Sequence, residues 1–417
     1  MKNILFIGQL TDVSGYGNAA RCYLNDLIHL HEEDKINLSV LNFSFESHSH
    51  ISSEWQQKIK KYSLTDSISI KRGHYKGSDL KNIEKFSKGK YEIVFFLLND
   101  WLSYGHKSND LLVSGVINLN LLCKRSTSTH PCVVWETNSI PEIWKQSYSK
   151  VNLGHLICAC NWNKETFSSI GKSITIPYSI EFEEDFDQKY YEKLNNVIQN
   201  NFTICSVFQW NKRKGIEKLI LSYYLEFFNN PNVFLILKTY INRAMGARAE
   251  TSIIKQELQN QLEKINFFKK NVKPKCKVII LNDIMNKAQI NSIYKVSNVY
   301  YTTTRGEGFG LPIAEFINHS KPAIVPSIGG HLDFIDKNNN FLIKSSMEPV
   351  IGYHDHLWSQ PETDWVEVSI NSTRQQLRIA YESKELESMG KASKHYMKSF
   401  LSDERNKELF MEVFYGK

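Results

Sequence analysis

No apolar run in this 417-residue chain comes near the length of a membrane-spanning helix, which needs about 20 residues. The first such run, residues 4–7, is too short for the core of a signal peptide and ends at Gly8. A cytoplasmic protein is expected, with any membrane contact peripheral and at the inner face. Cysteine is sparse as well: seven residues, an odd number, with no C-x-x-C pair. Cys158 and Cys160 stand too close together for a zinc knuckle. A reducing cytoplasm fits this cysteine usage best. Repeats and low-complexity tracts are lacking. No basic run interleaves with aromatics, which argues against nucleic acid as a partner. The formal charge, +7 from 51 basic and 44 acidic residues, is modest and spread out. Such a bias suits an anionic ligand or a phospholipid surface, and equally a solvated surface with no role.

What the chain does have is an ordinary globular composition, 41% apolar and 23% charged, over a length that suits two cores. Strand-like runs alternate with helix-like segments, the pattern of a parallel sheet covered by helices. In the first half, strands are expected at 3–7, 37–43, 93–98, 132–135 and 155–159, with helices at 18–30 and 142–150. An acidic stretch, 181–187, leads into 195–201 and reads as an interdomain connection. A second series follows, with strands at 202–208, 233–238, 277–281 and 299–303 and helices at 216–228, 251–268 and 288–296. The fold class is α/β, two Rossmann-like domains facing a cleft. Their expected spans are 1–190 and 200–390, and the helical segment 391–414 belongs to a C-terminal helix near 395–417 that packs back on the first domain.

The stretch R-G-E-G-F-G-L-P-I-A-E-F, from Arg305 to Phe316, carries the most chemistry. Gly308 and Gly310 permit positive φ and let a ligand approach the backbone. The helix that follows, with Pro312 in its first turn, would aim free N–H groups at an anion or at sugar oxygens. Glu315 is expected within the first turn, where its carboxylate could accept from two vicinal hydroxyls; Glu307 precedes the turn. The bland alternative is an αβ loop with ordinary glycines and an exposed glutamate. A second stretch, Q-W-N-K-R-K-G from Gln209 to Gly215, sets adjacent cations between a strand and a helix. Arg213 and Lys214 suit a diphosphate there, though a solvated basic turn would read the same way.

The segment E-G-F-G-L-P-I-A-E resembles the E-x7-E motif of glycosyltransferase family 4, whose members have the GT-B fold and transfer sugar from a nucleotide donor with retention. The resemblance implies that Glu307 contacts the donor sugar and Glu315 the ribose hydroxyls. It implies that Gly308, Phe309, Gly310 and Leu311 line the donor seat. Lys214 matches the family's phosphate-clamp lysine; the family's upstream arginine falls on Gln209, and Arg213 is expected to replace it. S-G-Y-G-N-A-A, with Gly15 and Gly17, is similar to the family's glycine-rich first loop. A dinucleotide fingerprint reads less well there, because the loop is long and the second strand ends without an acidic residue. W-E-T-N-S-I-P-E-I-W, from Trp135 to Trp144, looks like a branch of the family, and Glu136 falls where relatives bring a histidine or aspartate to the reacting centre. A carboxylate satisfied by backbone is the other reading. Gly329-Gly330-His331 resembles the family's G-G loop, with His331 more often structural.

Asp185-Phe186-Asp187 is a D-x-D in a polar segment and reads as solvated charge; His354-Asp355-His356 is weak as a metal site. The expectation is therefore a metal-independent, retaining transferase, a hexosyltransferase, with no cofactor beyond its UDP- or GDP-sugar substrate. Its acceptor would be a glycan, a lipid-linked precursor or a protein. The alternatives are a transferase-like binding or chaperone subunit, for which Gln209 speaks, and a sugar phosphorylase, against which the lack of a lysine motif for a pyridoxal cofactor speaks.

Overall fold

A computed structural model describes residues 1–12, 14–43, 51–65, 77–96, 109–113, 116–180, 185–241, 247–265, 273–353 and 362–416. His354-Asp355-His356 falls outside these. The chain divides into two compact units: Met1–Trp135 with Ser139–Ile180 and Leu401–Lys417, and Glu136–Asn138 with Glu181–Phe400.

The first unit begins β1 (Lys2–Gly8), α1 (Gly15–Glu32), β2 (Ile36–Asn42), α2 (Ser53–Tyr62), α3 (Gly77–Ser87), β3 (Glu92–Phe96). It continues with the short β4 (Leu112–Val113) and β5 (Val116–Ile117), then α4 (Leu119–Arg125), β6 (Ser128–Val133), α5 (Glu142–Tyr148), β7 (Leu156–Cys158), α6 (Asn161–Thr166) and β8 (Ser173–Thr175). Its six-stranded sheet runs β2-β1-β3-β6-β7-β8, parallel throughout. Ile4, Leu5, Phe6 and Ile7 of β1 are all fully buried, as a central strand covered on both faces requires.

The second unit holds α7 (Gln188–Ile198), β9 (Phe202–Gln209), α8 (Ile216–Phe227), β10 (Val233–Tyr240), α9 (Ala247–Ile265), β11 (Lys277–Leu281), α10 (Lys287–Val296) and β12 (Val299–Tyr301). Then come α11 (Leu311–Asn318), β13 (Ala323–Pro326), β14 (Phe341–Ile343), the hairpin β15 (Ser345–Pro349) and β16 (Asp364–Val368), α12 (Ile370–Glu382) and α13 (Leu386–Phe400). The six-stranded order β11-β10-β9-β12-β13-β14 reverses direction between β9 and β12. In such sheets ligands bind outside the carboxyl ends of the strands at that switch point.

Two boundaries differ from expectation. The segment 195–201 is no bare connection, because α7 occupies most of it. Asp187 caps that helix, its Oδ1 accepting from the Tyr190 N–H at 2.9 Å, while Leu194 and Ile198 are buried. The division therefore falls at Ile180/Glu181, before this helix. The C-terminal helical run is also two helices. Ser402 breaks it by capping α14 (Asp403–Tyr415), with Asp403 and Glu404 favourably placed in the first turn. Only α14 belongs to the first unit, where Asn406 donates to Asp26 Oδ2 at 3.1 Å and Pro177 O at 2.8 Å. In the second unit Gly390 of α13 lies so close to Ser320 that a Cβ would stand 1.9 Å from its carbonyl oxygen. Among the described residues, no helix is long and apolar enough to cross a membrane.

Candidate active site

Two loops meet at the switch point of the second unit. β9 ends in a single 3-10 turn, Lys212–Lys214, closed by Gly215 at φ 62°. A Cβ on Gly215 would lie 2.1 Å from Thr303 O, so only glycine allows the loops to approach. Thr303 Oγ1 donates to Gly215 O at 2.8 Å, and the Arg305 N–H donates to Arg213 O at 2.7 Å. Arg305 itself is scaffold. It is buried, pairs with Glu217 and Glu367, donates to Lys212 O at 2.7 Å and lies over the Trp365 ring at 4.8 Å.

These loops gather four charged groups. Lys214 Nζ is ion-paired with Glu307 Oε1, and Arg213 Nη1 lies 3.6 Å from Glu136 Oε1. All four side chains are only 13–15% exposed. Arg213 Nη1 also donates to Gly306 O at 2.6 Å. Gly306 admits Glu136 to the cluster, because a Cβ there would stand 2.4 Å from Glu136 O. Asn138 fixes the same tripeptide: its Oδ1 accepts from the Asp364 N–H at 2.8 Å.

Burial is the largest influence on Glu307, Glu136 and Lys214, but the outcomes diverge. It works to raise Glu307, yet Lys214 and Arg213 outweigh it and hold that carboxyl below the usual range. On Glu136 burial prevails over Arg213 and Lys214 and, aided by Glu307, lifts the carboxyl. Burial and the neighbouring Arg213 lower Lys214, against Glu307 and Glu136.

The glycine-rich backbone of 308–311 follows. Gly310 has φ 97° and precedes α11, which carries Pro312 in its first turn and has no side-chain cap. Phe309 is buried against Phe334, ring centroids 5.0 Å apart, so its side chain is an anchor. Glu315, placed in the first turn by the sequence, is the fifth residue of α11 and lies just beyond that turn, since the helix starts at Leu311. Lys287 Nζ pairs with its Oε1 at 2.6 Å, and Tyr294 OH donates to its Oε2 at 3.2 Å. Glu307 and Glu315 therefore hold different partners, with buried Tyr300 within electrostatic reach of both. The Gly330 N–H donates to Glu307 O at 3.0 Å. His331 is fully buried, with Nε2 2.9 Å from Pro326 O, and burial depresses its pKa.

The remaining sequence candidates have settings of their own. In the first unit, Gly17 is packed against the chain, since a Cβ would meet Asp12 O at 2.0 Å, while Gly15 is exposed with open space around it. Gln209 is exposed at the end of β9. The D-x-D is structural: besides the cap from Asp187, Asp185 O accepts from Asn291 at 2.8 Å. Sequence reasoning missed Gly306, Lys287, Tyr294 and the anchoring role of Arg305. The glycine lay inside the quoted motif, but the other three become visible only through tertiary contact.

No family model matches the sequence, and no curated protein does. Solved structures do match. The Anabaena protein Alr3699/HepE, in complex with UDP and glucose, aligns over 100% of both chains with TM-score 0.60 and 12% identity. A glycosyltransferase from Rickettsia africae aligns over 100% of this chain and 99% of its own, with TM-score 0.62 and 14% identity. The trehalose-6-phosphate synthase OtsA aligns over 100% and 99%, with TM-score 0.59 and 12% identity. The fold is GT-B. At these identities the likeness is one of fold alone, and the chemistry of this GT-B chain rests on its own residues.

Proposed function

We propose that this chain is a retaining, metal-independent glycosyltransferase similar to family 4, moving a hexosyl group from a nucleotide-diphosphate donor to a glycan, lipid-linked or protein acceptor. The observation that carries the reading is the buried meeting of Arg213, Lys214, Glu307 and Glu136 at the switch point. The solved neighbours add support, since the Anabaena protein binds UDP and glucose.

In this reading Lys214 and Arg213 stabilise the charge that develops on the departing diphosphate, and low exposure strengthens that attraction. The start of α11 adds its dipole, and the backbone of Gly308, Phe309, Gly310 and Leu311 lies against the donor. Glu307 holds the sugar, Glu315 the ribose hydroxyls, and Gly15 and Gly17 belong to the glycine-rich first loop. The acceptor hydroxyl attacks C1 from the face the diphosphate leaves, and a donor phosphate oxygen takes its proton. The glycosidic bond forms as the C1–O bond to phosphate breaks, with configuration retained. Two protein cations replace the usual metal counter-charge, and no cofactor takes part. The protein works in the cytoplasm, with any membrane contact peripheral at the inner face.

A thermal-shift screen over UDP-, GDP- and other activated sugars, followed by donor hydrolysis, tests this. One donor class is expected to stabilise the protein by about 2.7 kcal/mol at 100 times its Kd. No shift and no hydrolysis with any donor would remove the reading. Exposed Gln209, in place of the family's arginine, favours a second reading, a binding or chaperone subunit, which predicts a shift without turnover.

A further inference from the structure

Two cations and two carboxylates share the buried cluster, so its net charge is zero when all four are ionised. The two carboxylates are held differently. Glu307 is in direct ion pair with Lys214, whereas Glu136 faces Arg213 at 3.6 Å, beyond hydrogen-bond distance. Glu136 is thus the weaker of the two anions on the clamp and the one a stronger anion displaces. Its backbone has little room to retreat. Gly306 is packed against Glu136 O, and Asn138 is tied to Asp364.

On the proposed function above, a donor diphosphate comes to the same guanidinium. We infer that Glu136 is the resident counter-charge of the phosphate seat: it neutralises Arg213 while the seat is empty and takes up a proton when a sugar-nucleotide diphosphate displaces it. Donor binding then consumes a proton from solvent, which goes to a Glu136 carboxyl oxygen, and product departure returns it. Among the described residues, the charged groups acting on Glu136 are Arg213, Lys214 and Glu307; His331 and Tyr300 interact in turn with Glu307. A bound diphosphate adds negative charge to this set, and the protonated carboxyl is the form that tolerates it. Burial already favours that form.

The sign follows from linkage. The Glu136 pKa is higher in the complex than in the free protein. Affinity is therefore constant below the free pKa, falls with rising pH between the two values, and levels off above the bound one. The arrangement also limits product retention, because Glu136 competes for Arg213 as soon as the proton leaves.

The test is calorimetric titration of the full chain with UDP-glucose and with GDP-mannose at pH 7, in two buffers of very different ionisation enthalpy. The diphosphate of a nucleotide sugar does not titrate near neutrality, so any exchanged proton belongs to the protein. The expected result is net proton uptake on donor binding by the wild-type chain, at most one proton per site. Glu136→Asp should keep that uptake. Glu136→Gln should abolish it and bind roughly tenfold tighter than wild type at pH 8. Binding by the wild-type chain without buffer dependence overturns the inference and leaves the transferase reading intact, even if Glu136→Gln does not fold. Absence of binding by these two and by every other activated sugar of the screen removes the transferase reading and this inference with it.

Discussion

Replacing Lys214 by alanine removes one of two cations from a cluster of four side chains only 13–15% exposed. Arg213 is then left against Glu136 and Glu307. Stranding one partner of a buried pair costs about 3–5 kcal/mol. Here two effects hold the loss near the lower end. Arg213 acts on both carboxylates, and a stranded carboxyl can escape by taking a proton, at about 1.4 kcal/mol for each unit of pH above its pKa. A loss of about 3 kcal/mol corresponds to roughly 6–12 °C in the melting temperature of a domain this size. Turnover should suffer separately. Loss of a preorganised group that meets developing charge lowers the rate by about 10²–10³-fold.

The double variant Lys214→Ala/Glu307→Gln separates the two effects. Removing the stranded carboxylate should restore at least half of the lost stability, because a buried pair replaced as a whole costs little. On the proposed function it should restore none of the turnover, since Lys214 would no longer meet the phosphate nor Glu307 the sugar. Calorimetric melting of each variant and initial rates at saturating donor read the two quantities. Lys214→Ala with a native melting profile and turnover within about threefold of wild type would refute the catalytic argument. A double variant no more stable than the single one would refute the electrostatic argument.

Three further outcomes are expected. Glu315→Ala should weaken nucleotide binding about tenfold, since a hydrogen bond to a charged group contributes roughly 1.5–3 kcal/mol, with turnover at saturation kept; an unchanged Kd by calorimetry removes Glu315 from the ribose site. Gly215→Ala forces a Cβ toward Thr303 O at 2.1 Å from a φ of 62° and should cost about 1–3 kcal/mol and displace the cations beside it; a native melting temperature and donor Kd would contradict this. Asp26 is fully buried, and burial raises its pKa well above the usual range, against a lowering hydrogen bond from Asn406. A raised native pKa means the unfolded chain releases the proton first, so its contribution is complete below the unfolded pKa and is lost as pH rises toward the native one. Asp26→Asn should therefore flatten the fall in melting temperature above pH 4, and an unchanged profile would exclude that role.

Much of this was legible in sequence because it depends on local pattern. The run 277–281 becomes β11 with the same bounds, and 216–228 becomes α8 within a residue, since apolar periodicity and the preceding glycine mark them directly. Elements resting on capping by polar side chains were harder. Helix α7 is polar by composition and reads as a connection until the Asp187 cap and two buried apolar residues are seen. The break between α13 and α14 turns on one hydroxyl, that of Ser402. The motif stretches named Arg213, Lys214, Glu307 and Glu136 separately, and the fold brings all four together, Glu136 from far upstream of the others. That last contact is set by Gly306, and spacing along the chain carries no record of it.

The two arginines of the site show why motif identity alone does not assign chemistry. Arg305 opens the glycine-rich stretch and Arg213 stands in a basic turn, and both are charged, nearly buried and hydrogen-bonded to backbone. Arg305 meets two carboxylates in direct ion pairs and stacks on Trp365, so its charge is spent on holding β16 and α8 to the loop. Arg213 faces its carboxylate at 3.6 Å, a looser contact that an incoming anion can replace. The Arg305 N–H bond to Arg213 O makes one the foundation of the other. On the proposed function, loss of Arg305 would thus move Arg213 without removing a donor contact, whereas loss of Arg213 would remove that contact and leave the loop standing.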